Sequence, residues 1–272
     1  MAQLRFKQVD VFTREPFKGN PVAVVIGAEG LDTGAMQRIA NWTNLSETTF
    51  LLKSSVADYK LRIFTPRMEL PFAGHPTIGS AHAALESGFV ARKSTLTQEC
   101  KAGVMPLEVK DGRISVRAPT AKFSAVNESI GVPVISPAER IDVGAVWVIA
   151  EVESAARLAA LKPDVPVVTR LSEKLGLAGI TVFAKSDDCV GAIHVRSFAP
   201  AHGIPEDPVC GTGNVAVAAY LRHSKHPLFA SSYVARQGAQ CGRDGRVHMR
   251  VDGDAIWLGG DAVTCVDGKL SV

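Results

Sequence analysis

The chain has 272 residues, of which 46% are hydrophobic and 21% are charged, with 24 glycines. This composition excludes a disordered or fibrous protein, and the length allows one large or two moderate folded domains. The net charge of +3 comes without a block of basic residues, so neither a nucleic acid nor an anionic membrane surface is predicted as a partner.

The first residues and the cysteines indicate a cytoplasmic protein. The chain begins with an alternating strand pattern, "LRFKQVDVF", without a signal-like segment, and no apolar run reaches membrane-spanning length. An odd number of cysteines without a CxxC pair favours neither a disulfide framework nor a zinc site. We therefore predict a reducing compartment and no metal. The five are Cys100, Cys189, Cys210, Cys241 and Cys265.

Short strand patterns dominate the rest of the chain, interrupted by two helical ones. The strands include "GNPVAVVIG", "TTFLLK", "DYKLRIFTP", "VWVIAEV", "ITVFAK" and "AIHVRSF". The helices are "TIGSAHAALESG" and "NVAVAAYLRHS", both rich in alanine and weakly polar, which indicates buried helices. Residues 124–140 contain two prolines and no clear period, and are interpreted as a link between domains.

The chain repeats itself once. "LRIFTPRMELPFAGHP" and "VRSFAPAHGIPEDPVCG" share the pattern Arg-x-Phe-x-Pro-x-x-x-[Leu/Ile]-Pro, and the second copy has an insertion before its glycine. We interpret this as a duplication that produces two similar domains meeting along a cleft, residues 1–123 and 124–272, with the last strand completing the first domain. The matched pairs are Arg62 and Arg196, Phe64 and Phe198, Pro66 and Pro200, Leu70 and Ile204, Pro71 and Pro205, and Gly74 and Gly211.

Gly74 and Gly211 each stand at the start of a predicted helix. The unpaired amide N–H groups and the positive dipole end of a helix N-terminus favour an anion, so two such termini suit a small carboxylate. The segment "GTGNVA" from Gly211 also fits the GxGxxA dinucleotide pattern, but Pro205 and Pro208 interrupt the approach and no acid follows at the required distance. The alternative is that "GTGN" only caps the helix.

Two residues of the first half could transfer a proton. Glu47 in "NLSETTFLL" precedes an apolar strand, where desolvation would raise its pKa toward that of a useful general base. His75 follows Gly74 at the helix entry and could relay a proton or bind a substrate. The alternatives are a turn acid in water and a packed or solvated histidine.

Two residues of the second copy's loop are further candidates. Asp207 lies in the insertion and could hold a substrate amino or hydroxyl group, or could be an ordinary turn acid. Cys210 directly precedes Gly211, and a thiol at a helix N-terminus is expected to have thiolate character. Ala73 stands at the matched position of the first copy, so a pair of thiols is excluded.

Four segments together resemble one known family. "DVFTREPFKGNPVAVV", "NLSETTFL", "FTPRMELPFAGHPTIGSA" and "EDPVCGTGNVAVAAYL" look like the phenazine-biosynthesis PhzF-like isomerases, relatives of diaminopimelate epimerase. The resemblance implies an α+β, diaminopimelate epimerase-like fold: two pseudo-symmetric domains, each a β-barrel-like sheet around a central helix, with the active site in the cleft between them. It also implies a homodimer and cofactor-free proton shifts on a small carboxylic acid.

The resemblance also implies roles for individual residues. Glu47 resembles the general acid/base, and His75 and Asp207 resemble residues that orient the substrate and assist the transfer. Cys210 departs from many PhzF-like sequences and resembles the second cysteine of the epimerases. The positions that would line the substrate site are Asn20, Gly74, Gly211, Thr212 and Gly213.

The sequence therefore predicts a cofactor-independent isomerase that moves a proton on a small carboxylic acid, with Glu47 as the base. Two alternatives stay open. One is a two-base amino-acid epimerase or racemase that uses Glu47 and Cys210. The other is a non-catalytic protein of the same fold that only binds a small acid.

Overall fold

The computed structural model describes residues 3–187 and 193–272, so Cys189 lies outside the described residues. The chain divides into two compact units, Met1–Arg117 with Gly259–Val272, and Ala118–Leu258. The chain passes from the first unit to the second between Arg117 and Ala118, a few residues before the expected boundary at 123/124. The reason is that the strand Lys122–Ala125 is hydrogen-bonded to the strand Glu139–Asp142 of the second unit.

The first unit is a mixed sheet around one helix. The strands are β1 (Gln3–Val11), β2 (Asn20–Ile26), β3 (Thr48–Leu52), β4 (Tyr59–Phe64), β5 (Glu69–Leu70), β6 (Thr95–Cys100), β7 (Gly103–Lys110), β8 (Arg113–Arg117) and β18 (Ala262–Ser271). The parallel pairs are β2 with β3 and β4 with β6, and the antiparallel pairs include β1 with β2 and β1 with β18. The helices are α1 (Thr33–Thr43) and α2 (Gly74–Glu86), and α2 packs against β1, β2, β3, β4, β8 and β18.

The second unit has the same plan. Its strands are β9 (Lys122–Ala125), β10 (Glu139–Asp142), β11 (Val146–Glu151), β12 (Gly179–Lys185), β13 (Ile193–Ala199), β14 (Ile204–Asp207), β15 (Ser232–Gln237), β16 (Gly245–Asp252) and β17 (Ala255–Gly260), which ends just past the unit boundary. The parallel pairs are β11 with β12 and β13 with β15. Its helices are α3 (Ala155–Ala160), α4 (Val165–Leu175) and α5 (Gly211–His223), and α5 packs against β10, β11, β12 and β16.

The order and direction of strand pairs are the same in both units, as the sequence repeat predicts. In the first unit β2 runs parallel to β3, β3 antiparallel to β4 and β4 parallel to β6. In the second unit β11, β12, β13 and β15 are related in the same way. The central helices α2 and α5 follow the repeated motif at the same place and have 13 residues each.

The repeated arginine and phenylalanine form the same cluster twice. Arg62 makes two hydrogen bonds to Glu69, at 2.8 and 2.9 Å, and lies over the Phe64 ring. Arg196 makes two hydrogen bonds to Glu206, at 2.8 and 2.7 Å, and lies over the Phe198 ring. Each cluster fixes the loop that leads into the central helix. Bidentate arginine–carboxylate pairs of this kind also fix the direction of the two side chains.

Small residues let the central helix approach the sheet closely. A Cβ atom added at Gly79 of α2 would lie 2.4 Å from Cγ1 of Val22 and 2.9 Å from Cγ2 of Val11. Ala81, Ala83 and Ala84 are fully buried. A larger side chain at Gly79 would therefore push the helix away from β1 and β2.

The segment 124–140 is part of the second unit, so its interpretation as a link is wrong. Ile130 is buried in a cluster that α3 and α4 form over β11, β12 and β13, and Val132 and Val134 pack against the same cluster. Pro133 and Pro137 are exposed and interrupt the local periodicity, while Val134 and Ala138 beside them pack against the cluster. No helix among the described residues is long and apolar enough to cross a membrane.

Candidate active site

Three of the predicted residues come together at one end of α2 in the first unit. Glu47 directly precedes β3, and its main-chain carbonyl accepts a hydrogen bond from the Ala23 N–H at 3.4 Å. Its side chain is 14% exposed, and Oε2 lies 3.3 Å from Nε2 of His75. The Asn20 amide nitrogen lies 3.4 Å from Nδ1 of His75. Both ring nitrogens of the histidine therefore have a polar neighbour.

His75 is buried in the first turn of α2. Burial lowers the pKa of His75 to about 3, although a hydrogen bond to the Pro21 backbone opposes the change. The imidazole is therefore neutral near pH 7, with one donor and one acceptor nitrogen. Because it carries no charge, it does not neutralise Glu47 as an imidazolium would.

Asp207 ends β14 in the second unit and is partly buried. Its carboxylate accepts a hydrogen bond from the Val209 N–H at 3.1 Å. Burial raises the pKa of Asp207 to about 6, and the nearby charge of Glu206 acts in the same direction, while hydrogen bonds from Cys210 and Val209 oppose it. A carboxyl group with this pKa changes its charge close to physiological pH.

Cys210 is the N-cap residue of α5, and its buried sulfur accepts a hydrogen bond from the Gly213 N–H at 3.3 Å. Burial raises the pKa of the Cys210 thiol, and the negative charge of Asp207 raises it further. These effects exceed the lowering by the helix N-terminus, so the prediction of thiolate character is wrong. The side chain is a protonated thiol at neutral pH.

The glycines begin the two central helices, as predicted. Gly74 is the first residue of α2 and Gly211 the first of α5. A Cβ atom at Gly213 would lie 2.6 Å from Oγ1 of Thr181 and 3.1 Å from the Cys210 sulfur, so this position has no room for a side chain. The hydroxyl of Thr212 accepts a hydrogen bond at 3.0 Å from the Trp147 indole N–H.

Sequence analysis missed three residues of the second unit that contact the predicted residues there. Gln237, at the end of β15, contacts Asp207, Cys210 and Asn214. Asn214 also donates to the Cys210 carbonyl at 2.8 Å. Trp147 orients Thr212. A polar residue closing an otherwise alternating strand was the one available signal for Gln237, and no local signal points to Trp147.

The strand register shows that the two units carry different chemical groups. The matched phenylalanines have strand partners at corresponding positions: Phe64 pairs with Thr48 in the first unit, and Phe198 pairs with Ile180 in the second. The residue before Thr48 is Glu47 and the residue before Ile180 is Gly179, so these two positions correspond. A Cβ atom at Gly179 would lie 2.1 Å from the Phe198 carbonyl oxygen. The second unit therefore has no room for a carboxylate at the place of Glu47.

At the N-cap positions of the two central helices it is the second unit that has a functional side chain where the first has none. Ala73 is the N-cap residue of α2 and makes no side-chain hydrogen bond there, whereas Cys210 is the N-cap residue of α5 and does. The first helical residues after the glycines are His75 in one unit and Thr212 in the other. At these matched positions the duplicated scaffold thus holds an acid and an imidazole in one unit, and a thiol and a hydroxyl in the other.

The groups of the site do not form a metal centre in the described part of the chain. Within residues 3–187 and 193–272, no group of three or more histidine, cysteine, aspartate or glutamate side chains is placed to hold a metal ion.

Comparison with solved structures identifies the class of fold. The chain is similar to a hydroxyproline epimerase from Agrobacterium vitis, with a TM-score of 0.64 and 16% identity over 98% of this chain and 92% of the epimerase. It is more similar to a phenazine biosynthesis protein of the PhzF family from Bacillus anthracis, with a TM-score of 0.88 and 30% identity over 100% of both chains. The protein has the diaminopimelate epimerase-like α+β fold, as predicted.

Sequence relatives identify the family. The family model PhzC-PhzF, described as phenazine biosynthesis-like protein, matches residues 9–268, and the chain belongs to this family. Antisense-enhancing sequence 1 of Schizosaccharomyces pombe is 38% identical over 99% of both chains. The trans-2,3-dihydro-3-hydroxyanthranilate isomerase of Pseudomonas aeruginosa is 32% identical over 97% of this chain and 98% of the relative. The protein is an isomerase, as the sequence predicts.

Proposed function

We propose that the protein is a cofactor-independent isomerase that moves a proton on a small carboxylic acid, with Glu47 as the general acid/base. One observation carries the proposal. The Glu47 carboxylate is largely buried and lies 3.3 Å from His75, which burial keeps neutral. A carboxylate in such surroundings is available as a base, and proton transfer by a positioned side chain is a usual source of about 10²–10⁴-fold acceleration.

In the proposed reaction Glu47 takes a proton from a carbon next to an activating group and becomes a carboxylic acid. The electron pair of the broken C–H bond shifts into the neighbouring unsaturated system. Glu47 then returns the proton to a different carbon of the same molecule, so the atoms balance without a co-reactant. His75 has too low a pKa to hold this proton near neutral pH, which leaves it the role of a hydrogen-bonding partner.

The remaining predicted residues would bind the substrate. Backbone N–H groups at the start of α2 and α5 favour a carboxylate, and stabilise the negative charge that develops as the proton leaves. Asp207, with a pKa of about 6, is suited to hold an amino or hydroxyl group of the substrate. The proposed substrate-binding residues are Asn20, Gly74, Asp207, Gly211, Thr212 and Gly213.

The duplication supports a single carboxylate base. Gly179 stands at the register position of Glu47 in the second unit, and the Phe198 carbonyl fills the space that a side chain would need. A proton shift that stays on one face of the substrate needs one base only. This favours the shift over reactions that require two equivalent acids.

A two-base epimerase or racemase that uses Glu47 and Cys210 is the second candidate. The position of Cys210 at the N-cap of α5, bonded to the Gly213 N–H, favours it, because a protonated thiol there could donate the second proton. Under this mechanism Cys210→Ser and thiol alkylation abolish turnover. Under the proton-shift mechanism Cys210→Ser keeps most of the activity.

The substrate class can be approached from one relative. The Pseudomonas aeruginosa protein is named for isomerisation of trans-2,3-dihydro-3-hydroxyanthranilate, a small cyclic unsaturated acid. We propose small cyclic or unsaturated acids with an amino or hydroxyl group as substrates of this chain.

Deuterium exchange tests the proposal. Wild type, Glu47→Gln and the exposed control Glu173→Gln are incubated in D₂O with trans-2,3-dihydro-3-hydroxyanthranilate and a panel of amino, hydroxy and unsaturated cyclic acids. NMR and mass spectrometry follow deuterium uptake and positional isomers. We expect exchange with a positional isomer in wild type and Glu173→Gln, and at least about 10²-fold slower exchange in Glu47→Gln. Equal rates in all three would rule out Glu47, and inversion without a positional isomer would favour the epimerase.

The resemblance also leads us to propose a homodimer, and the cysteine pattern leads us to propose a cytoplasmic location. Light scattering coupled to size-exclusion chromatography tests the assembly. A mass near twice the 28.9 kDa of one chain supports it, and a monomer at micromolar concentration contradicts it.

A further inference from the structure

Gln237 makes side-chain hydrogen bonds to the main chain at both ends of the turn Asp207–Cys210. Its Oε1 accepts from the Cys210 N–H at 3.1 Å, and its Nε2 donates to the Asp207 carbonyl at 3.0 Å. The same Oε1 accepts from the Asn214 amide at 2.9 Å, which links the turn to α5. The glutamine is buried, so water does not replace these bonds.

Two glycines next to Gln237 receive the middle of the same turn. A Cβ atom at Gly238 would lie 2.5 Å from the Pro208 carbonyl oxygen, and Gly238 has a φ of +106° that side chains rarely adopt. A Cβ atom at Gly245 would lie 2.4 Å from Cγ2 of Val209. The end of β15 and the start of β16 therefore contact Asp207, Pro208, Val209 and Cys210 one after another.

The first unit has no equivalent of this anchor. Strand β6 pairs with β4 as β15 pairs with β13, so Glu99 corresponds to Arg236 and the next residue, Cys100, to Gln237. Cys100 instead contacts the Gly103 carbonyl at 3.5 Å. At this matched position the glutamine thus stands in the unit whose turn carries an acid and a thiol, and a cysteine stands in the other unit.

We propose that Gln237 is the positioning residue of the second unit's reactive turn, holding the Asp207 carboxyl and the Cys210 thiol in place for the substrate. The inference rests on the proposed function, in which Asp207 contacts the substrate. A group held by two main-chain bonds is fixed in direction, and displacement of a reacting group by about 1 Å can lower a rate about 10²-fold.

The environment of Asp207 gives a measurable sign of this positioning. Its carboxyl faces the titratable groups Glu206 and Cys210, and Cys241 also senses its charge. Glu206 is paired with Arg196 and Cys210 is a protonated thiol, so burial is the main cause of the raised pKa. Without Gln237 the turn opens to water, and the pKa of Asp207 falls toward its ordinary value.

The test compares Gln237→Met with a matched control, Gln98→Met. Gln98 is also a buried glutamine on a strand, hydrogen-bonded to the Tyr59 hydroxyl and the Thr77 hydroxyl, and it does not contact the turn. Carbon-13 NMR titration of Asp207 and the pH profile of kcat/KM are measured for wild type and both variants. Gln237→Asn serves as a second variant if Gln237→Met does not fold.

We expect the Asp207 pKa to fall from about 6 toward about 4 in Gln237→Met and to stay unchanged in Gln98→Met. The same variant should lose about 10²-fold in kcat/KM, with the limb of its pH profile that reports Asp207 moved to lower pH. An Asp207 pKa and a pH profile equal to wild type in a folded Gln237 variant would overturn the inference. Absence of any wild-type turnover refutes the proposed function instead, and the NMR titration still decides whether Gln237 positions Asp207.

Discussion

Replacing Arg196 with methionine should destabilise the protein much more than the same change at Arg62. Both arginines make bidentate pairs with a glutamate, but their surroundings differ. The Arg196 side chain is 7% exposed and also donates to the carbonyls of Leu158 and Leu161. The Arg62 side chain is 20% exposed, so water can replace part of its lost bonding.

The magnitude follows from what each substitution leaves behind. Arg196→Met leaves Glu206, 16% exposed, without its cation, and leaves two carbonyls without this donor. Breaking a buried ion pair costs about 3–5 kcal/mol, and the unsatisfied carbonyls add about 1 kcal/mol. Arg62→Met leaves the more accessible Glu69, so we expect about 1–2 kcal/mol there. The expected difference is at least about 2 kcal/mol.

The stability of both variants is measured in two ways: by urea unfolding monitored with circular dichroism, and by differential scanning calorimetry. For units of this size about 1 kcal/mol corresponds to roughly 2–4 °C in Tm, so Arg196→Met should lower Tm by about 10–20 °C. The double variant Arg196→Met with Glu206→Leu should recover part of the loss, because no buried charge is left unpaired. Equal losses for Arg62→Met and Arg196→Met, or no recovery in the double variant, would refute the reasoning.

Two further predictions concern packing and pH. Gly179→Ala should destabilise by about 1–3 kcal/mol because its Cβ meets a main-chain oxygen at 2.1 Å, whereas Gly30→Ala, with open space around it, should change stability little in the same urea assay. Burial lowers the pKa of His75 to about 3, so between about pH 3 and 6.5 the unfolded state binds more protons there and stability rises with pH. Burial raises the pKa of Asp207 to about 6, so between about pH 4 and 6 the folded state binds more protons there and stability falls as pH rises. From pH 4 to 6, His75→Asn should therefore make the unfolding free energy rise less steeply with pH than in wild type, or fall. Asp207→Asn should make it rise more steeply. Each slope should change by up to about 1.4 kcal/mol per pH unit.

Each of these predictions has a clear contrary result. Equal unfolding free energies for Gly179→Ala and Gly30→Ala would mean that β12 shifts without cost. Changes of slope in the same direction for His75→Asn and Asp207→Asn would mean that burial does not act on the two groups with opposite sign.

The sequence predicted the parts of the fold that depend on local pattern and on the repeat. The alternating strands and the two alanine-rich helices follow from periodicity, and the matched arginines and phenylalanines predict that two units share one topology. The acidic partners Glu69 and Glu206 were missed, since they stand on different sides of the Leu/Ile-Pro pair in the two copies. A pairing across a turn leaves no spacing that both copies share.

Three helices were missed although they carry end signals. Asp32 caps α1 by accepting from the Ala35 N–H, and Asn44 ends it in the left-handed conformation. Asp164 caps α4, and Gly176 ends it with a φ of +62°. Each capping signal is a single residue between strand patterns, so the β character of the surrounding sequence outweighed it in the prediction.

The electrostatics of the candidate site could be predicted only in part. A helix N-terminus beside Cys210 suggested a thiolate, but burial and the nearby Asp207 outweigh it and keep the thiol protonated. Burial of a single side chain depends on packing from distant segments, as with Gln237, which lies far along the chain from the turn that it holds. Residue type and local position gave Glu47 and His75 as candidates, and the family resemblance added Asn20. The structure brings these three together.

The close approach at Gly179 keeps the two units chemically different. One substitution cannot place a carboxylate at this position of the second unit, because the Phe198 carbonyl occupies the space and β12 would have to move first. A protein rebuilt from two copies of the first half would have a glutamate at both matched strand positions and no cysteine at a helix N-cap, whereas one rebuilt from two second halves would have two such cysteines and no glutamate at those positions. Each unit therefore carries a side chain that the other lacks at the matched position, so neither half alone supplies both Glu47 and Cys210.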